Sequence, residues 1–83
     1  MAHFVYIIQS LKDIKYYIGE TSNIERRLEE HNLGKVKSTN YRRPFKLVLS
    51  ETYETRSEAL KREKQIKSYK GGQAFKKLIA SHV

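Results

Sequence analysis

The stretch from Tyr16 to His31, YYIGETSNIERRLEEH, constrains this chain more than any other. Tyr16, Tyr17 and Ile18 are aromatic or β-branched and read as a strand. Gly19 stops the strand, because a residue without Cβ lets the chain turn or lets another group approach the backbone. Ser22 and Glu25 have the spacing of a capping box, so a helix is expected from about Asn23. Its apolar positions are Ile24 and Leu28, and Arg27 and His31 fill the other places of the same stripe. Arg26 falls on the opposite side of the wheel, with Glu29 and Glu30 nearer to it. The helix therefore turns one guanidinium and one imidazole inward. Either Arg27 snorkels from the edge of the stripe and His31 is a satisfied core histidine, or Arg27 has a carboxylate or phosphate to hold.

The rest of the chain reads around that unit. His3 to Gln9 is a nearly continuous apolar strand, as expected of a central strand covered on both faces. A short connection, Leu11 to Lys15, predicts an antiparallel hairpin with the second strand. That pairing brings Tyr6 near Tyr17 if their pleats match, and the sequence leaves the register open. The first helix is expected to end at Leu33-Gly34, with Gly34 as a left-handed cap. The following segment carries Lys35, Lys37, Tyr41, Arg42 and Arg43, which suits phosphate contacts and base stacking or simply a solvated loop. From Pro44 to Tyr53, Phe45, Leu47 and Leu49 alternate with Lys46, Val48 and Ser50, predicting an edge strand with one apolar face. Thr55 and Glu58 give a second capping box, opening a helix from Arg56 to about Lys70. Its inward stripe is Ala59, Glu63 and Ile66. A carboxylate there has either a structural ion pair, with an arginine such as Arg27, or a role as metal ligand or general base. Gly71-Gly72 breaks the helix, and Gln73 to Ala80 forms a last short one. The order β-β-α-β-α-α implies an α+β fold in a single domain over residues 1–83.

Composition narrows the function. The chain has 83 residues, 39% of them hydrophobic, enough for one modest core. No run approaches the ~18 apolar residues of a membrane span. The opening lacks a basic region before its apolar run, so no signal peptide is expected. Absence of cysteine excludes disulfides and thiolate zinc sites and fits a cytoplasmic setting. His3, His31 and His82 lack metal-ligand spacing. Lys and Arg total 17 against 9 acids, a formal charge of +8. On so small a domain the excess must form a basic face, for which a phosphate backbone is the commonest partner, with solubility the alternative.

Tyr6, Tyr17, Arg27, His31 and Glu63 are of the types that together cleave a phosphodiester. One carboxylate can hold Mg²⁺ while waters and phosphate oxygens fill the other positions. An arginine clamps the charged phosphoryl group, and a tyrosine or histidine takes a proton from the attacking water. The signatures Val5-Tyr6-Ile7 and Tyr17-Ile18-Gly19, the segment Asn23 to His31 and the segment Ala59 to Lys67 resemble, in order and spacing, those of the GIY-YIG nuclease family. Val5 stands where the family usually has glycine. The likeness covers about residues 3 to 70 and is greatest to small stand-alone bacterial members, related to the incision domain of the excision-repair nuclease.

The resemblance implies a three-stranded antiparallel sheet with the first strand central, flanked by helices. It implies that Glu63 binds one Mg²⁺ or Mn²⁺, Arg27 holds the scissile phosphate, and Tyr6 acts as or assists the general base with His31 beside it. Tyr17 would orient the water or phosphate. It implies DNA as substrate, a link to repair or recombination, and targeting by a partner protein, since no appended specificity domain is seen. The sequence departs from the pattern after Glu63, where several members carry a further Asn. Only Gln65, Ser68 and Gln73 are available there. A noncatalytic nucleic-acid-binding module built on the same scaffold, or a protein or RNA docking face, is the alternative.

Overall fold

The computed structural model describes residues 2–81; Met1, His82 and Val83 lie outside them. The elements are β1 (His3–Ser10), β2 (Tyr16–Thr21), α1 (Ile24–Asn32), β3 (Phe45–Tyr53), α2 (Arg56–Ser68) and α3 (Gln73–Ala80), with a single 3₁₀ turn at Asn40–Arg42. All three strands are antiparallel in the order β2-β1-β3. The fold is α+β, as the element order requires, and β1 is central. Val5, Tyr6, Ile7 and Ile8 are each at most 2% exposed, which explains why that strand shows no alternation: helices cover both faces.

One face carries Val5, Ile7 and Leu49 against Ala59 and Ile66 of α2 and Phe75 of α3. The other carries Tyr6, Ile8 and Phe45 with Tyr17 and Leu28 of α1. Phe45 and Leu49 thus serve opposite faces, contrary to the simple alternation expected of β3. The cause is a bulge: Ile7 pairs with Leu49 but Ile8 with Leu47, leaving Val48 as the extra residue. Val48 packs into the α2 side.

Local chemistry differs from the sequence reading at two further points. The N-cap of α1 is Asn23, whose side chain accepts from the Arg26 amide at 3.0 Å; Thr21 in turn holds the Asn23 amide at 3.1 Å. Asn is as good a cap as Ser, and it displaces the Ser22–Glu25 box. Gly19 does not end β2, which runs on to Thr21. Of the second box the N-cap half forms, with Thr55 Oγ1 accepting from the Glu58 amide at 3.2 Å, while the Glu58 carboxylate accepts from the Thr55 hydroxyl at 3.0 Å. Gly34 has φ +78 and turns the chain after α1.

The connection from α1 to β3 is tied at both ends. Asn32 accepts from the Phe45 amide at 2.7 Å and donates to the Phe45 carbonyl at 3.2 Å, standing in for a neighbouring strand. Buried Ser10 donates to the Arg42 carbonyl at 2.5 Å and accepts from the amides of Lys12 and Asp13. Among the described residues no helix is long and apolar enough to cross a membrane.

Candidate active site

The register brings the two tyrosine signatures into direct apposition. Tyr6 faces Gly19, Ile7 faces Ile18, and Ile8 faces Tyr17. Tyr6 and Tyr17 therefore share the α1 face, with ring centroids 6.3 Å apart. Gly19 is needed for room. A Cβ at that position would lie 2.4 Å from the Tyr6 hydroxyl oxygen and 2.6 Å from Cζ, so the phenol lies directly over the bare backbone.

Helix α1 supplies the inward groups. His31 is wholly buried, its ring 4.9 Å from that of Tyr17 and 5.7 Å from that of Phe45. Its Nε2 meets the Tyr6 hydroxyl at 3.1 Å, and its Nδ1 meets the Thr39 hydroxyl at 2.8 Å. Arg26 is exposed and Arg27 half-buried, as the wheel predicts. The Arg27 guanidinium lies beside the Tyr6 hydroxyl. Glu30, placed nearer Arg26 on the wheel, instead pairs with Arg27 at 3.1 Å; three residues apart on a helix is contact spacing.

Burial pushes the Tyr6 phenol up to about 12, with Arg27 opposing and the charge of Glu63 adding to the rise. Tyr6 is thus a neutral hydroxyl at rest, not a phenolate. Burial, helped by the Arg27 charge, pushes His31 down to about 4, so the imidazole is neutral and can accept a proton.

Glu63 comes from α2, which packs against β1 and β2, and its charge is felt at Tyr6. Its partner is Lys67, one turn on, with Nζ 2.6 Å from Oε2, and not an arginine. The neighbouring Arg62 instead grips Glu51 of β3 through Nε and Nη2 at 2.8 and 3.1 Å. The structure thus brings Tyr6, Tyr17, Arg27 and His31 together, with the charge of Glu63 felt weakly at Tyr6. Tyr6 and His31 form the buried rear, while Tyr17, Arg27 and Glu63 are only half-buried. After Glu63, Gln65 accepts from Arg62 at 2.9 Å and Ser68 donates to the Gln65 carbonyl.

Lys35, Lys37, Tyr41 and Arg43 are exposed on the α1–β3 connection. Arg42 is more engaged: Nε donates to Asp13 at 3.0 Å and the guanidinium lies 6.0 Å over the Phe45 ring. The apolar groove between Tyr16, Phe75 and Ile79, about 330 Å³, contains none of the five site residues. The sequence reading missed Thr39, wholly buried in that connection; only the folded path of the chain reveals its contact with His31.

The profile of the GIY-YIG catalytic domain matches residues 2–76. The chain belongs to the GIY-YIG nuclease family. UPF0213 proteins of Staphylococcus aureus strains Mu50 and N315 are 49% identical over 69 residues, covering 82% of this chain and 83% of theirs. The solution NMR structure of a UPF0213 protein from Bacillus halodurans matches with a TM-score of 0.56 at 34% identity, over 98% of this chain and 84% of that one.

Proposed function

We propose that this protein is a divalent-metal-dependent endonuclease that hydrolyses DNA phosphodiesters, structure-selectively or without sequence preference, in repair or recombination. One observation carries the reading. The Tyr6 hydroxyl is bonded to a neutral, buried imidazole at 3.1 Å and flanked by the Arg27 guanidinium.

In this reading a water attacks phosphorus in line with the leaving oxygen. Its proton passes to the Tyr6 oxygen as the Tyr6 proton passes to Nε2 of His31, so Tyr6 assists and His31 is the terminal base. This relay avoids a resting phenolate, which burial opposes. Arg27 exchanges Glu30 for the phosphoryl oxygens, whose charge it then offsets. Tyr17, half-buried beside His31, orients the water or the phosphate.

Among the described residues there is no group of three or more His, Asp or Glu that could hold a metal. Glu63, with Lys67 on one oxygen, fits a hydrated hard cation such as Mg²⁺ or Mn²⁺ held through one carboxylate. When bound, such an ion supplies Lewis-acid polarisation of the phosphate and offsets leaving-group charge. Lys35, Lys37, Tyr41 and Arg43, with Arg42 beside them, would meet the flanking backbone, consistent with the charge of +8.

The test is incubation of the purified protein with supercoiled plasmid and with branched DNA, in Mn²⁺ or EDTA, beside Glu63→Ala. Metal-dependent nicking lost in the variant is expected. Binding that weakens steeply with salt but never cuts would leave a noncatalytic nucleic-acid-binding module.

A further inference from the structure

We propose that Thr39 is a positioning residue of the site: its hydroxyl fixes the His31 ring with its proton on Nδ1, so that the Nε2 lone pair faces Tyr6. The inference rests on the Tyr6–His31 relay described above.

The hydrogen-bond inventory around the buried Tyr6 hydroxyl points to this tautomer. A threonine hydroxyl has one proton to give and lone pairs to accept with. Thr39 Oγ1 lies 3.4 Å from the Val36 carbonyl, which can only accept. In the proposed arrangement the hydroxyl proton faces the Val36 carbonyl and a lone pair faces His31 Nδ1 at 2.8 Å. Nδ1 then carries the ring proton, and Nε2 is the acceptor for the Tyr6 hydroxyl at 3.1 Å. The Tyr6 oxygen stays free to accept from Arg27, whose guanidinium can only donate. In the opposite tautomer Nε2–H would donate to Tyr6, and the Tyr6 proton would be left facing the Arg27 guanidinium, which cannot accept it.

Thr39 is held for this task. It is wholly buried, its amide donates to Val36 at 3.0 Å, and its carbonyl accepts from the Arg42 amide at 3.0 Å. Gly34, with φ +78, turns the chain out of α1 so that it can come back over His31, and the Asn32 and Ser10 clamps fix the segment's far end. A histidine that presents the wrong nitrogen cannot take the Tyr6 proton, whatever its burial.

The test uses the full-length protein with ¹⁵N-labelled histidine. Long-range ¹H–¹⁵N spectra report which ring nitrogen carries the proton, and the His31 signals are assigned by their loss in His31→Gln. Wild type and Thr39→Ser are expected to hold the proton on Nδ1, and Thr39→Val to shift population to Nε2–H. Tyr6→Phe, which keeps Thr39, is expected to remain on Nδ1; this variant decides the matter even if Thr39→Val does not fold. In cleavage assays Thr39→Val should slow kcat by about tenfold or more with KM for DNA unchanged, and Thr39→Ser should restore it. A wild-type Nε2–H tautomer, or a tautomer that flips in Tyr6→Phe, overturns the proposal. If the spectra hold and the wild type cuts no DNA, the nuclease reading has failed and the positioning role falls with it. If the wild type cuts and the spectra fail, only the role of Thr39 falls.

Discussion

Replacing Gly19 with alanine should damage the protein through one side chain, Tyr6. The backbone of Gly19 is ordinary extended strand, paired with Tyr6, so alanine costs nothing conformationally there. In an unobstructed strand it would even gain about 0.5–1 kcal/mol over glycine. The obstruction is steric. The new Cβ would sit 2.4, 2.6 and 2.9 Å from Oη, Cζ and Cε1 of Tyr6, short of normal contact by roughly 1 Å. Tyr6 is 2% exposed, wedged between the Tyr17 and His31 rings, and cannot retreat that far without stretching its 3.1 Å bond to His31. Overpacking of this kind costs about 1–3 kcal/mol, and the lost buried hydrogen bond adds about 1 kcal/mol or more. On a domain of this size the Tm should fall by more than about 10 °C. Urea unfolding followed by circular dichroism measures the loss, and the Tyr6→Leu background isolates its cause. Leucine there removes Oη, Cζ and Cε1 together, so Gly19→Ala should become neutral or slightly stabilising, a coupling of about 2–4 kcal/mol. A Gly19→Ala variant within about 0.5 kcal/mol of wild type, or one equally damaged in both backgrounds, would refute the reasoning.

Other outcomes follow from the same geometry. His31 sits at about 4 in the folded protein against about 6.5 unfolded. The unfolded chain therefore binds more protons between these values, and stability is complete above pH 6.5 and lost as pH falls towards 4. Urea unfolding should show roughly 2 kcal/mol lost by pH 5; a flat profile from pH 7 to pH 5 contradicts the neutral buried imidazole. Lys67→Met should tighten Mn²⁺ binding up to about fivefold, by calorimetry, because the freed Glu63 no longer exchanges an ammonium for the ion; weaker binding would place the metal elsewhere. Lys35→Ala and Lys37→Ala should each reduce the slope of log Kd against log salt by about 1 for duplex DNA, and unchanged slopes would remove that loop from the interface.

Much of this was legible in the primary structure. The apolar run of β1, the Thr55 cap and the Gly34 turn signal are local, and local signals survive folding. So does the phase of α1, which turns Arg27 and His31 inward and leaves Arg26 out. The exceptions are the places where a local pattern competes with a partner distant in sequence. Val48 becomes a bulge because β3 must feed both faces of the sheet. One miss is local: Asn23 outcompetes Ser22 as cap because Thr21, two residues before it, already holds its amide. The facing of Tyr6 and Tyr17 needed the hairpin register, and the role of Gly19 needed the position of a ring thirteen residues earlier in the chain. Thr39 lay in a segment whose composition reads as solvent-exposed. Its burial depends on clamps from Asn32 and Ser10 that no periodicity encodes. By contrast, the Arg27–Glu30 and Glu63–Lys67 pairs stood at helical contact spacing and could have been read from it.

The most direct test of the site sets two adjacent arginines against each other. Arg26→Ala and Arg27→Ala remove the same charge from the same helix, and differ in that one side chain is in water and the other lies beside Tyr6. In single-turnover cleavage of branched DNA with Mn²⁺, Arg27→Ala should lose on the order of 100-fold or more, and Arg26→Ala only a few-fold. Equal losses would mean that the arginines serve only to attract DNA, and that no phosphate is held at Tyr6, Arg27 and His31.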